Sequence, residues 1–302
     1  MSMRVATFAT NRQMLSASLQ TQARMANMQL QEASGLNSTD YGGLGADART
    51  LVNLEVSAQR AARYEAAATA ATGQAELIYN ALDSMADLLT SFRAQITALQ
   101  STDATDAGRA SLVSAAQTAL EEMEELLNTR LNERYLFAGS DTSGAPVDLN
   151  ETTFDLTTVD TGYYQGSGDP LSATVNDDRS ITYGINADDS AFETTLRAFG
   201  SIASAQSDLS DIDLSAVLDL VGNAVDGLAG LQGGLSVATA GLERAISDQQ
   251  DLQSFYQTQI VNLRDVDVTA VAAQLTAYET QLQASYAALA KIQSLSLLDY
   301  LR

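Results

Sequence analysis

The side chains that could support chemistry in this sequence are mainly carboxylates, because the 302-residue chain contains neither Cys nor His. This composition excludes a thiolate nucleophile, a disulfide framework, a histidine base and a metal centre built on Cys or His. Two acidic pairs, Asp177–Asp178 and Asp188–Asp189, offer the oxygen ligands that Ca²⁺ prefers, but neither has the spacing of a calcium loop. We therefore expect neither a metal site nor a cofactor.

Two further patterns of catalytic type are weak. The glycine-rich stretch 42–45 follows no predicted strand and lacks the spacing of a phosphate-binding loop, so a connection between helices over 34–43 explains it better. Carboxylates that cleave glycosidic bonds work as a pair across a cleft, and no two acidic residues are grouped in that way. The sequence thus predicts no catalytic residues and a protein that is not an enzyme.

The chain is strongly acidic, with a net charge of −22. Lys291 is its sole lysine and the arginines are scattered, so no basic patch is available for a phosphate backbone or an anionic membrane surface. Aromatic residues make up 6% of the chain and Trp is absent, which favours closely packed Ala-rich helices over a thick globular core. We expect no nucleic-acid partner.

The sequence also suggests how the chain relates to membranes. Residues 1–10 lack the apolar core of a cleavable secretory signal. No segment shows the run of about 20 apolar residues that spans a bilayer, so we expect no membrane insertion. If the protein leaves the cell, we expect an export route that does not depend on a cleavable secretory signal.

Proline placement organises the chain, because Pro146 and Pro170 are its two prolines and both lie in one central stretch. The flanks are therefore free to be helical. In the first flank we predict a helix ending at a turn cluster over 34–43, a helix over about 46–99, a turn near 101–108 and a helix over about 109–136.

The central stretch, 139–191, is richer in Gly, Asp, Thr and Tyr and reads as a small β-rich insert. Residues 173–175 and 181–183 flank an Asn-Asp-Asp-Arg turn, which predicts a hairpin. Residues 152–156 alternate in the manner of a short strand, with Phe154 and Leu156 on one face.

Helical pattern resumes near Ala191, and a helix over 242–298 would be about 80 Å long. The predicted fold is mainly α: an elongated antiparallel coiled-coil or helical-bundle rod formed by both termini, with the β-rich insert between them. The predicted segments are an N-terminal helical segment 1–138, the insert 139–191 and a C-terminal helical segment 192–302.

Both terminal segments carry apolar side chains at alternating three- and four-residue steps, the spacing of a coiled-coil seam. Periodicity alone leaves open whether such a seam packs within the chain or between subunits. The seam positions are Val5, Phe8, Leu15, Leu19, Val271, Leu275, Tyr278, Leu282, Leu289, Ile292, Leu295 and Leu298.

Four stretches resemble the bacterial flagellin superfamily, and within it the hook-associated protein 3 family of the hook–filament junction. They are EASGLNSTD at 32–40, RYLFAGSDT at 134–142, YQGSGD at 164–169 with GINADDSAF at 184–192, and the end of the chain from Leu282 through SLSLLDYL at 294–301. The first is similar to the serine–glycine element before the second helix of flagellins. The second and third are typical of the junction family, and the last is similar to the ending of both families. The stretch 40–44, DYGGL, departs from the paired aspartates common there, and RDVD at 264–267 is similar to flagellin itself.

The resemblance implies a structural subunit of the bacterial flagellum, exported through the type III apparatus and located outside the cell. It implies contacts with flagellin and with another hook-associated protein, self-association in a ring or helical layer, and an export chaperone. Two alternatives stay open: a divergent flagellin that forms the filament itself, and an intracellular coiled-coil adaptor, which should remain in the cytosol and fold stably alone.

Overall fold

The computed structural model describes residues 2–101, 105–150, 152, 154–205, 209 and 212–300. Within these ranges it describes side chains at position 9 and between 12 and 291, apart from 101. The described part of the chain is mainly helical, which confirms the predicted fold class. Its helices are α1 (Ser2–Ser34), α2 (Asp47–Ser101), α3 (Asp106–Leu127), α4 (Ser190–Ala203), α5 (Leu214–Arg264) and α6 (Val268–Tyr300).

Strands are few and short in the described ranges. They are β1 (Arg130–Leu131), β2 (Arg134–Tyr135), β3 (Ser172–Asn176) and β4 (Arg179–Thr182). β1 pairs antiparallel with β2, and β3 pairs antiparallel with β4, where a bulge lies between Thr174 and Asn176. The predicted hairpin over 173–183 is therefore confirmed. The described residues of the predicted strand over 152–156 form no strand, although Phe154 and Leu156 still pack against the core.

The predicted helix over 109–136 is wrong at its C-terminal end, because α3 ends at Leu127. Its cap is Asn128, whose side chain bonds both the N–H and the C=O of Val147. Asn132 and Glu133 then adopt positive φ values of 50° and 64° at the turn between β1 and β2. Asn tolerates that conformation well, so a hairpin forms where helix-forming residues predict more helix.

The continuous helix predicted over 242–298 is also wrong, since α5 ends at Arg264 and α6 begins at Val268. Asp267 caps α6 by accepting the backbone N–H groups of Thr269 at 3.0 Å and Ala270 at 3.1 Å. An Asp at this position satisfies donors that the first helical turn leaves unpaired.

The chain divides into two compact units. The terminal unit contains residues 1–59 and 253–302, and the central unit contains residues 60–252. The β-rich stretch predicted over 139–191 lies wholly within the central unit.

The central unit contains a dense apolar core. Phe92 of α2 meets Phe199 of α4 edge to face with ring centroids 4.9 Å apart, and Phe137 meets Phe192 in the same way at 5.6 Å. Tyr163 is buried beside them and donates its hydroxyl to the Ala187 carbonyl at 3.0 Å. Burial raises the pKa of Tyr163, with the carboxylate of Glu193 as the next cause, so its hydroxyl stays protonated.

Among the described helices, α5 is the one that is long and apolar enough to cross a membrane by length and composition. The sequence-based expectation missed this stretch. Its apolar side, with Val217, Val221 and Leu228 fully buried, is already packed into the core of the central unit.

Candidate assembly surface

The apolar side of α6 packs against α1 within the terminal unit. Val271 and Leu282 are buried, and Leu275, Tyr278 and Leu289 are half-buried. These five predicted seam residues follow four- and three-residue steps, so they lie on one side of the helix. The predicted positions Ile292, Leu295 and Leu298 lie outside the described side chains.

Helix α1 meets α6 with a weakly apolar side. Its buried or half-buried residues there are Met14, Ser18, Thr21, Met25 and Met28. A cavity of about 290 Å³ remains between the helices. It is lined by Met14, Ala17, Gln281, Ala284, Ser285 and Ala288. Small and flexible side chains thus give the helix pair close contact but little buried apolar area.

The predicted seam of α1 faces away from α6. Leu15 and Leu19 are 53% and 57% exposed, and Leu30 on the same side is 63% exposed. The predicted seam positions Val5 and Phe8 lie outside the described side chains. Leu15, Leu19 and Leu30 form a row that we call the leucine stripe, which has no partner within the described part of the chain.

Other large apolar side chains of the terminal unit are exposed as well. Val52 and Val56 lie one turn apart on α2, and Phe255 of α5 is 55% exposed. Fully burying a Leu, Val or Phe side chain stabilises by about 1.5–3 kcal/mol. The terminal unit therefore presents apolar surface that contact with another chain would bury at a substantial gain.

Electrostatics favour contact at this surface. Residues 12–34 of α1 contain three charged side chains, Arg12, Arg24 and Glu32, and residues 268–291 of α6 contain two, Glu279 and Lys291. In a chain of net charge −22, copies repel one another over most of their surface. The terminal helix pair is almost neutral and escapes that repulsion.

The break between α5 and α6 lies beside the break after α1, and backbone bonds join the two. The Asn37 N–H donates to the Arg264 carbonyl at 2.6 Å, and the Val266 N–H donates to the Gly35 carbonyl at 3.0 Å. Gly35 takes a φ of 72°, the left-handed conformation that commonly ends a helix and that glycine adopts without strain. We call this pair of breaks the joint.

The Asn37 side chain completes the joint. Its amide donates to the carbonyls of Leu263 at 3.1 Å and Asp265 at 3.0 Å. The last carbonyls of a helix lack partners inside that helix, so Asn37 supplies donors that the end of α5 needs. The sequence places Asn37 in the predicted turn cluster over 34–43 but indicates no role for it, because nothing local shows which distant carbonyls it meets.

Polar side chains surround the joint. Glu55 of α2 lies 3.6 Å from the Arg264 guanidinium and accepts the Tyr41 hydroxyl at 2.8 Å. The hydrogen bond to Glu55 raises the pKa of Tyr41, and the negative charge of Glu55 acts in the same direction. These contacts orient side chains, and the described residues contain no group of three or more acidic side chains that could hold a metal ion.

Comparison with known proteins finds similarity to components of the bacterial flagellum. The bacterial flagellin C-terminal helical region matches residues 218–301, which include most of α5 and all of α6. Flagellar hook-associated protein 3 of Escherichia coli (strain K12) is 26% identical over 262 residues, covering 78% of this chain and 80% of the relative. The chain is similar to hook-associated protein 3. The resemblance predicted from the sequence is confirmed.

The fold agrees with that relationship. A solved flagellar hook-associated protein from Vibrio parahaemolyticus superposes with a TM-score of 0.51 at 16% identity, covering 75% of this chain and 96% of that one. The match to the hook-associated proteins thus reaches beyond the C-terminal region shared with flagellin. Helix α6, whose seam packs on α1, belongs to the part that matches flagellin.

Proposed function

We propose that this protein is a structural subunit of the bacterial flagellum that joins the hook to the flagellin filament. The observation that carries the proposal is the relationship to hook-associated protein 3, which extends over 78% of the chain. A divergent flagellin would share the C-terminal helical region, which accounts for residues 218–301 alone.

The leucine stripe supplies the contact. In the proposed assembly, a neighbouring subunit covers Leu15, Leu19 and Leu30 and buries apolar area that the isolated chain exposes. The distal seam positions Val5, Phe8, Ile292, Leu295 and Leu298 extend the same contact. Helical assemblies grow through different patches on two sides of each subunit, so the stripe meets a non-identical surface.

The proposed partners are flagellin on one side and another hook-associated protein on the other, with further copies of this chain in the same ring or layer. An export chaperone would cover the apolar terminal helices before assembly. In this proposal the protein acts outside the cell after export, and it acts through contacts without catalysis.

Labelling intact flagella with an antibody against this protein tests the proposal. We expect a single spot between hook and filament, and we expect cells lacking the protein to build hooks that hold no filament. Label along the whole filament would show a flagellin instead. Label confined to the cytosol would overturn the flagellar function.

A further inference from the structure

A polar cleft of about 570 Å³ lies in the central unit between α2 and strand β3. Its apolar lining consists of the methyl-bearing residues Ala67, Ala70, Ala71 and Ala173. Its polar lining is Arg60, Arg63, Tyr64, Gln74, Ser172, Thr174 and Tyr183. The cleft thus combines a shallow apolar surface with basic and hydroxyl groups, and none of its lining residues is acidic.

One wall of the cleft is an unpaired strand edge. The Tyr183 N–H donates to the Leu171 carbonyl at 3.0 Å, so Leu171 and Tyr183 form a hydrogen-bonded pair. In an antiparallel ladder such pairs alternate, and the backbone groups of the next residue point to the other edge. The N–H and C=O groups of Ser172 therefore point away from β4, and Ser172 is one of the residues that line the cleft, so another strand bound there could pair with them.

Two arginines lie at the basic end of the cleft, and one of them, Arg60, already forms an ion pair within the chain. Arg60 pairs with Asp177 at 2.9 Å, and Tyr64 donates its hydroxyl to the same carboxylate at 2.6 Å. Arg63 is exposed, and no described carboxylate lies within ion-pair distance of its guanidinium. In a chain of net charge −22, the partner that fits this position is an acidic one.

We propose that the cleft binds an acidic irregular segment from a second copy of this chain, which adds to the free edge of β3 as a further strand. Strand addition draws its affinity from backbone hydrogen bonds and its specificity from pockets for alternate side chains. Arg63 would select a carboxylate, and the alanines would select a small apolar side chain beside it.

The segment 155–160 has the chemistry of that occupant. Val159 is 66% exposed. Among the exposed large apolar residues of the described central unit, it is the one that lies outside a helix. It lies between Asp155 and Asp160, and among the described residues its own backbone has no hydrogen-bond partner. The residues around it are held by their own chain, since the Leu156 carbonyl accepts from Arg197 at 3.0 Å and the Asp160 N–H donates to Glu193 at 3.3 Å. Val159 is therefore the residue of the segment that can pair with Ser172. This segment is not among the residues that line the cleft of its own chain.

Cleft and segment are different surfaces, so their contact joins neighbouring copies head to tail, as open helical or ring assembly requires. The inference rests on the proposed function in one respect, because it needs copies that lie side by side. It adds a contact of the central unit to those of the terminal unit.

Disulfide trapping tests the contact, because the natural chain has no cysteine. Cells would express the full chain with Ser172→Cys and Val159→Cys together, and each single variant would serve as a control. Detached flagella would be oxidised and analysed under non-reducing conditions. We expect dimers and higher species from the double variant alone.

Charge reversal tests the role of Arg63. Adding Arg63→Glu to the double variant places like charges in contact, and we expect the trapped fraction to fall about tenfold. Arg93→Glu is the matched control, because Arg93 is an exposed arginine on the same helix away from the cleft, and it should leave trapping unchanged.

The outcomes separate this inference from the proposed function. Protein found in flagella without a trapped dimer would overturn the inference, and so would trapping that Arg63→Glu leaves unchanged. If the unmodified protein is absent from detached flagella, the proposed function fails instead.

Discussion

The central unit and the terminal unit differ in how far their large apolar side chains are buried. In the central unit Phe92, Phe137, Phe192 and Phe199 are fully buried and stack in edge-to-face pairs. In the terminal unit Phe255 is 55% exposed, and Leu15, Leu19 and Leu30 point away from the helix that α1 packs on. The first unit contains its own core, whereas the second needs apolar surface from outside to complete one.

This difference separates folding from assembly along one chain. Long helices owe most of their stability to an apolar face that is packed against something. The central unit supplies that packing itself and should hold its structure in the free protein. The terminal unit obtains full packing when a neighbour covers the leucine stripe.

The largest expected effect is on the stability of the free protein. Phe199→Ala removes half of the edge-to-face pair with Phe92 and should lower the free energy of unfolding by about 3–5 kcal/mol. Urea unfolding followed by circular dichroism measures it. Phe255→Ala, in the terminal unit, is the matched control and should change stability by no more than about 0.5 kcal/mol. Equal losses from the two variants would abolish the distinction between the units.

The next effect should appear in assembly and leave the free chain unchanged. Leu15→Ala with Leu19→Ala removes two side chains that each contribute about 1.5–3 kcal/mol when buried, so retention in flagella should weaken about a hundredfold or more. Quantitative immunoblotting of detached flagella measures retention. Gln13→Ala with Gln20→Ala changes exposed residues on a third side of α1 and should leave retention intact. A leucine variant retained like the natural protein would remove the stripe from the assembly surface.

A smaller effect concerns the joint. Asn37→Ala leaves the Leu263 and Asp265 carbonyls without their side-chain donor, which should cost about 1–3 kcal/mol locally. Amide hydrogen exchange should become faster at Val266, whose N–H bonds across the joint. Asn53→Ala replaces an exposed asparagine of α2 in the same unit and should leave that exchange unchanged. Unaltered exchange in Asn37→Ala would show that the backbone bonds hold the joint without the side chain.

The smallest expected effect is the pH dependence of the contact between the β3–β4 turn and α2, in which Asp177 bonds Tyr64 and Arg60. The hydrogen bonds from Tyr64 and then Arg60 hold the pKa of Asp177 below its ordinary value. A carboxylate with a lowered folded-state pKa stabilises fully above its unfolded pKa of about 3.9, and the contribution is lost as pH falls through the folded-state pKa. Carbonyl NMR titration of Asp177 should show a low midpoint that moves up in Tyr64→Phe. A midpoint that does not respond to Tyr64→Phe would mean that this bond does not form in solution.

The two terminal helices show how far the sequence predicts the candidate surface. The four- and three-residue spacing of α6 predicted one apolar side, and in the structure Val271 and Leu282 on that side are buried where α6 packs on α1. The same kind of spacing in α1 indicated a stripe too, but periodicity does not say what a stripe faces. On the side of α1 that meets α6, the polar residues Ser18 and Thr21 separate Met14 from Met25 and Met28, so its apolar spacing is interrupted and was not recognised.

The errors in the helix boundaries have a similar cause. Residues 128–136 have good helix formers, yet tertiary bonds from Asn128 and the left-handed turn at Asn132 and Glu133 end the helix early. Asp267 carries a local capping signal that marks the start of α6 and could have been recognised. The role of Asn37 could not, because its partners lie more than 200 residues away in the chain.

Amide hydrogen exchange in the free protein and in detached flagella tests the central claim most directly, because it reports both units at once. The account predicts that residues 12–34 and 268–291 exchange rapidly in the free chain and become protected in flagella. Amides of the central core, such as that of Phe199, should be protected in both states. Terminal helices that are equally protected in the free chain would contradict the claim that neighbouring subunits complete the terminal unit.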